Sequence, residues 1–450
     1  MKTKFLFSFL FFVGALSVVT TAQVISGGFA HSLAVCSDST VRSWGYNLHG
    51  QLGDSTTTDR WAPVQVNSLT GITAVASGYG HSLFLKNDGS VWACGWNNYG
   101  QLGDSTTADR WIPVQVSSLA DITAVACGEG HSLFLKSDGT VWACGSNSGG
   151  WLGDGTTIDR WTPVQVTSLT DITAVAAGQH HSLFLKSDGT VWACGHNHNG
   201  QLGDGTFMQR SIPVQVNLLP GTIAMAGGQA HSLFLKSDGR VWACGWNGFG
   251  ELGTGSFGQE NTPVQVSSLA GITAIACGDV HSLFVKNDGT AWACGQNFGP
   301  APLQINFITG ITGAACGWNH LIFLKNDGTV WTYGNNSNGQ LGDGTNTSSA
   351  APVQVIGLCQ MPTNIEEQRQ EIGFKIFPNP AADKFTINDL RFTIEKFEIY
   401  NALGEQVFSK RLMPGVQRQT IDVSQFPFGV YFVQIQTPDF KETRKLIVAK

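Results

Sequence analysis

The chain has 450 residues, 55 of them glycine, with charged side chains at only 13% and a formal net charge of −6. That length exceeds one ordinary core, so several domains or a repeat array are expected, and the scarcity of charge beside so much glycine favours short strands and tight turns over amphipathic helices. The mild negative balance gives no electrostatic footing for nucleic acid or for an anionic membrane surface.

Residues 1–22 open on Lys2 and Lys4, continue with an apolar run from Phe5 to Val19, and end on the small residues Thr20 and Ala22. This pattern reads as a secretory signal peptide cut between Ala22 and Gln23. The run is short for a membrane span and no later stretch would cross a bilayer, so the mature chain is expected to have no transmembrane segment.

From residue 23 to 358 one unit recurs. Six histidines stand 50 residues apart (His31, His81, His131, His181, His231 and His281), and His320 follows after 39. A complete copy reads I-T-A-V-A-C-G-E-G-H-S-L-F-L-K-S-D-G-T-V-W-A-C-G-S-N from Ile122, then L-G-D-G-T-T-I-D-R-W-T, then P-V-Q-V at Pro163–Val166. Asp-Gly between apolar runs marks a hairpin, because glycine accepts positive φ at little cost. Each copy therefore supplies four short antiparallel strands, and seven such copies suit an all-β, seven-bladed β-propeller of four-stranded blades, which leaves only short, protected edges. An open solenoid is the alternative, but it needs polar end caps. Gln23–Gly27 sits in a first-strand slot and is a candidate to pair with the last P-V-Q-V strand near Val353 and close the ring.

Whatever recurs in every copy builds the fold, and function is sought where the copies differ. The histidines recur, so they are expected to bond a neighbouring blade's backbone rather than a metal or substrate. Trp92, Trp142, Trp192, Trp242, Trp292 and Trp331 share one slot and are expected between blades, whereas Trp61, Trp111 and Trp161 either stack on the preceding arginine or edge the loop face. Cys94, Cys144, Cys194, Cys244 and Cys294 repeat in one strand and read as small buried residues. Cys36 and Cys359 lie outside the pattern near the two ends of the array, where a bond would staple it shut. The D-G-T-x-x-x-D-R stretches, Asp154 to Asp159 for example, lack the dense carboxylates of a calcium loop and read as polar turns.

Strand parity puts the G-x-x-H turns and the long G-x-N loops on one face. Around the ring the residue after the first Gly of G-x-x-H is Trp318, Phe29, Tyr79, Glu129, Gln179, Gln229 and Asp279, and the G-x-N slot adds Tyr46, Trp96 and Trp246. Clustered aromatics on a rigid scaffold are what a binding surface needs; the competing reading folds these rings inward over the propeller axis. The sixth copy runs from Gln296-Asn297 through Phe298-Gly-Pro directly to Pro302-Leu-Gln-Ile, without L-G-D-G-T. That deletion predicts a notch beside the blade carrying Trp318. The candidate partner-binding set is Phe29, Tyr46, Tyr79, Trp96, Trp246, Phe298 and Trp318. No G-x-S-x-G, H-E-x-x-H or P-loop is present, so no catalytic residue, metal site or cofactor is expected.

After residue 358 the composition turns polar (359–372), and three strand-like segments follow: F-K-I-F-P-N-P-A from Phe374, I-Y-N-A-L-G-E-Q-V-F from Ile399, and F-G-V-Y-F-V-Q-I from Phe428. They predict a small β-sandwich over 373–450.

Two resemblances follow from these motifs. G-x-x-H-S-L, D-G-x-V-x-x-x-G and N-x-x-G-Q-L-G-D-G together resemble the regulator of chromosome condensation repeat, which implies a seven-bladed propeller. P-N-P-A, I-Y-N-x-x-G and G-V-Y-F-V-x-I resemble the type A sorting domain of the type IX secretion system of Bacteroidota. This second resemblance implies a partner in that secretion machinery and a chain that is secreted or held at the outer cell surface. The expected function is a non-enzymatic module that binds an extracellular protein or glycan on the loop face. The alternatives are guanine-nucleotide-exchange-like activity, as in the eukaryotic namesake, or a carbohydrate-active enzyme on the same face.

Overall fold

The computed structural model describes residues 24–361 apart from Leu218, and in the C-terminal part residues 375–377, 381, 383–388, 396–401, 405–410, 418–436 and 441–449. The signal peptide, its cleavage at Ala22–Gln23 and most of the polar linker lie outside these residues. The chain divides into two units, 1–368 and 369–450.

The first unit is a propeller of seven four-stranded antiparallel sheets, each made of strands consecutive in sequence. Blade 1 runs from Ile25 to Gln65, blade 2 from Ile72 to Gln115, blade 3 from Ile122 to Gln165 and blade 4 from Ile172 to Gln215. Blade 5 spans Thr222–Gln265, blade 6 Ile272–Gln304 and blade 7 Ile311–Gln354. The I-T-A-V-A strands are innermost and neighbour one another around the axis, blade 7 against blade 1. The H-S-L-F-L-K strands come second and are buried on both faces, since a blade lies against each. This is why they read as continuous apolar runs rather than as an alternation. The R-W-x-P-V-Q strands are outermost and the most exposed.

The Asp-Gly turns behave as the sequence predicts. Gly89, at φ +77°, closes its hairpin through Gly89 N–H to Lys86 O (3.0 Å). Blade 1 has Ser39 in this position, held at φ +61°.

The histidines bond across six of the seven seams, but to a side chain and not to backbone as expected. His31 Nε2 meets Ser82 Oγ at 3.0 Å, and the same pairing joins His81 to Ser132, His131 to Ser182, His181 to Ser232, His231 to Ser282 and His320 to Ser32. The serine hydroxyl then donates to a loop carbonyl of the preceding blade, for example Ser132 Oγ to Gln101 O at 2.7 Å. A third link joins a loop N–H to the next blade's outer strand, as in Ser55 N–H to Trp111 O at 3.1 Å. Burial holds the six paired imidazoles neutral, with pKa values lowered to about 3.

The ring closes without a shared sheet. Ile25–Gly27 pairs only with the second strand of its own blade. Blades 7 and 1 are joined instead by His320–Ser32, by Trp44 Nε1–H to Gln340 O (2.9 Å), by Gly344 N–H to Trp61 O (2.9 Å), and by a disulfide between Cys36 and Cys359. Trp44, in the slot that blades 2 to 6 give to cysteine, is fully buried there. The repeated cysteines are buried thiols, and burial pushes Cys94, Cys144, Cys194, Cys244 and Cys294 well above the ordinary thiol range.

The second unit is a β-sandwich. One sheet joins Lys375–Phe377, Lys384–Asn388 and Arg418–Asp422; the other orders Gln406–Lys410, Lys396–Asn401, Gly429–Gln436 and Lys441–Val448. Phe385 and Ile421 from the first sheet pack with Phe397, Ile399, Val433 and Leu446 from the second.

Candidate functional site

Tyr46 N–H donates to Ala30 O (2.8 Å), Trp96 N–H to Gly80 O (2.7 Å) and Asn335 N–H to Asn319 O (2.9 Å). These bonds tie each G-x-N loop to the G-x-x-H turn of its own blade, so the two variable slots share one face. The aromatic residues of that face meet. Phe29 stacks on Tyr79 at 4.3 Å between ring centroids and meets Trp318 edge-on at 4.3 Å. Tyr79 continues to Trp96 at 6.0 Å, and Tyr46 lies 6.4 Å from Phe29. Such distances suit attractive offset and edge contacts. All five rings are half-buried.

Phe29, Tyr79 and Trp318 also line the mouth of the propeller axis, a cavity of about 110 Å³ bordered on its other side by Glu129, Gln179, Gln229 and Asp279. The arc therefore begins at the axis and runs outward over blades 1 and 2. The outward and inward readings of these rings were not exclusive.

The structure adds residues that the sequence reading passed over. Tyr99 meets Trp96 edge-on at 5.3 Å, and His49 sits 6.0 Å from Trp96 while bonding Asp109 at 2.8 Å. Both occupy the slot before the Gly of N-x-x-G, which varies as freely as the slots that were read. On blades 3 and 4, Trp151 packs on His180 at 4.5 Å, His180 bonds Glu129 at 2.8 Å, and His196 lies 5.1 Å from His180. Burial and the neighbouring histidines lower the pKa of His196 to about 4. At the axis, burial and the charges of Glu129 and Glu251 raise that of Asp279 to about 7.

Two predicted residues stand apart from the arc. Trp246 is exposed on blade 5 and touches none of its rings. Phe298 lies 6.3 Å from Tyr333 in a separate cavity of about 550 Å³ between blades 6 and 7, where the sixth copy lacks its loop. Trp61, Trp111 and Trp161 are exposed outer-strand residues, and the adjoining arginines pair instead with aspartates, Arg160 with Asp154 at 2.7 Å. Asp154 also accepts from Asn147 and Thr156, so this carboxylate is spent on holding its own turn. Among the described residues no group of His, Cys, Asp and Glu is placed to hold a metal ion, and no helix is long and apolar enough to cross a membrane.

Residues 15–301 match the family model of the RCC1-like domain, and residues 311–340 and 327–365 match the regulator of chromosome condensation (RCC1) repeat. The chain belongs to the RCC1-like domain family. Residues 375–449 match the secretion system C-terminal sorting domain. No curated protein matches the chain by sequence. Among solved structures, human WBSCR16 superposes with a TM-score of 0.65 at 25% identity, covering 70% of this chain and 93% of that one. Yeast RCC1 (Prp20), solved bound to Kap60, gives 0.64 at 21% identity over 74% of this chain and 84% of its own. Prp20p of Saccharomyces cerevisiae, solved in a study of its binding to Gsp1p and histones, gives 0.63 at 23% identity over 74% and 86%. At these identities the yeast structures establish the fold alone.

Proposed function

We propose that this secreted propeller is a non-enzymatic binding module, and that it docks an extracellular protein or glycan on its loop face through the arc Trp318–Phe29–Tyr79–Trp96, flanked by Tyr46. The observation that carries the reading is the continuity of that arc. Its rings fall on blades 7, 1 and 2, the first two of which are neighbours only because the ring closes, and each touches the next. Rigid aromatics with few rotamers supply contact area at low entropic cost, which is how binding hot spots are built. The sorting domain at 373–450 is read as the part that engages the type IX secretion machinery.

The test is capture of extracellular partners by the propeller, repeated with Trp318→Ala, Tyr79→Ala and Trp96→Ala combined. Loss of a partner held by the parent protein supports the module. Unchanged capture by the triple variant overturns the site, and turnover of a glycan panel or accelerated nucleotide release from a small GTPase overturns the non-enzymatic reading.

A further inference from the structure

The seam between blades 6 and 7 lacks all three polar links that the other six seams possess. In the slot where six blades place a serine, blade 7 has Leu321, so His281 has no hydroxyl to meet. Its ring is turned so that Nε2 lies at Gly278, where the paired histidines place Nδ1, and this nitrogen is buried without a partner, as Nδ1 is in five of them. The loop whose carbonyl the serine would reach is the one deleted. The outer-strand carbonyl of Ala350, equivalent to Trp61 O and Trp111 O, receives no loop N–H. Tyr333 replaces the repeated cysteine and leans toward Phe298.

The cavity left by these changes has a definite chemistry. None of its lining residues is Asp, Glu, Lys or Arg. The side-chain amides of Gln296, Asn297 and Asn319 border it and make no hydrogen bond among the described residues, and Ser348 and Ser349 add hydroxyls. Each free amide offers two donors and an acceptor. Phe298 and Tyr333 supply two aromatic rings inclined at 42°. The volume of about 550 Å³ is that of a small-molecule site.

We propose that this notch binds a neutral saccharide, whose hydroxyls take the places of the absent serine and loop and whose apolar ring face packs on Phe298 and Tyr333. Uncharged amides, hydroxyls and aromatic rings match a polyhydroxylated, uncharged ligand. An anionic sugar would find no cation among the lining residues, and an extended peptide would find a single vacant backbone carbonyl rather than a strand edge. The proposal rests on the binding-module reading but uses a surface separate from the aromatic arc.

Saturation-transfer NMR and calorimetry on the full propeller, with maltose, cellobiose, lactose and xylobiose as probes and sialyllactose as the anionic control, test it. Two variants accompany the parent protein. Gln296→Ala with Asn319→Ala removes amides that hold nothing in the fold. Gln296→Trp fills the notch from a slot that carries tryptophan at Trp96 and Trp246 in other blades. The expected result is binding of at least one neutral disaccharide, weakened tenfold or more by either variant and unchanged by the triple arc variant. The proposal is overturned if none of the four binds, if only sialyllactose or a peptide binds, or if both notch variants bind as the parent does. Sugar binding abolished by the arc variant alone would sink the notch and keep the module; loss of partner capture by the arc variant with sugar binding intact would support both.

Discussion

Leu321 occupies the position from which six other blades offer a serine hydroxyl, and His281 is the one repeated histidine left without it. The two departures are structurally linked. Blade 6 lacks the loop carbonyl that a serine at this position would reach, and an apolar side chain fits there better than a hydroxyl with no acceptor for its proton. Tyr333 and Phe298 partly refill the space.

This asymmetry predicts unequal costs for equal substitutions. His131→Ala removes a cross-seam bond to the Ser182 oxygen, whose hydroxyl keeps its bond to Trp151 O, whereas His281→Ala removes an imidazole that bonds no serine. Urea unfolding should show His131→Ala to be the more destabilising by about 1 kcal/mol. Equal midpoints would mean that the histidine–serine links contribute nothing.

The same histidines predict acid lability. Their folded pKa values lie at about 3, and at about 4 for His281, below the ordinary 6.5. The unfolded chain therefore takes up protons first as pH falls. Their stabilising contribution is complete above about pH 6.5 and is lost as pH drops from there toward 3–4, by about 1.4 kcal/mol per pH unit for each ring. Melting temperatures between pH 4 and 8 should fall steeply below pH 6.5; a flat profile would contradict the buried neutral rings.

Asp279 acts in the opposite sense, as does Glu251, whose pKa burial also raises. The folded pKa of Asp279, about 7, exceeds the ordinary carboxylate value, so it disfavours the folded state increasingly as pH rises from about 4 to 7 and by a constant amount above. Asp279→Asn should stabilise the propeller by about 1–2 kcal/mol at pH 8 and by little at pH 4. A loss of stability at pH 8 would show that the carboxylate has a counter-charge.

Phe29 lies between Tyr79 and Trp318, each 4.3 Å away. Phe29→Ala should weaken partner binding at least tenfold by releasing both neighbours, and should shift the tryptophan emission of Trp318 toward the red. A change in binding no larger than that from Trp246→Ala would separate the arc from the function.

The Cys36–Cys359 bond should contribute about 2–5 kcal/mol. Cys36→Ser with Cys359→Ser should leave the blades intact and lower the urea midpoint, and cysteine-specific mass mapping of the parent under non-reducing conditions should find the two residues linked.

Much of this was legible because a repeat states its own rules. The stride of His31 to His281 gave the blades, the Asp-Gly pairs gave the hairpins, and the missing L-G-D-G-T of the sixth copy located the cavity beside Phe298. What stayed hidden depended on contacts between copies. The partner of His31 is Ser82, a serine in the next copy that no local pattern marks as an acceptor. The meeting of Phe29, Tyr79 and Trp318 requires both ring closure and the inward lean of the innermost turns. Tyr99 and His49 were missed because only two of the three variable slots were read. The sequence points to closure by a strand shared near Val353, whereas side-chain bonds, loop backbone bonds and a disulfide do that work between complete blades.

That disulfide also changes what an extracellular protease can accomplish. Joining residue 36 to residue 359 makes the propeller a covalent macrocycle that takes in part or all of every blade. A single cut between those positions opens the circle without releasing a fragment, so a nicked molecule keeps all seven blades on one connected chain and needs a second cut before anything leaves. The sorting domain lies beyond Cys359, so its removal would leave the circle whole.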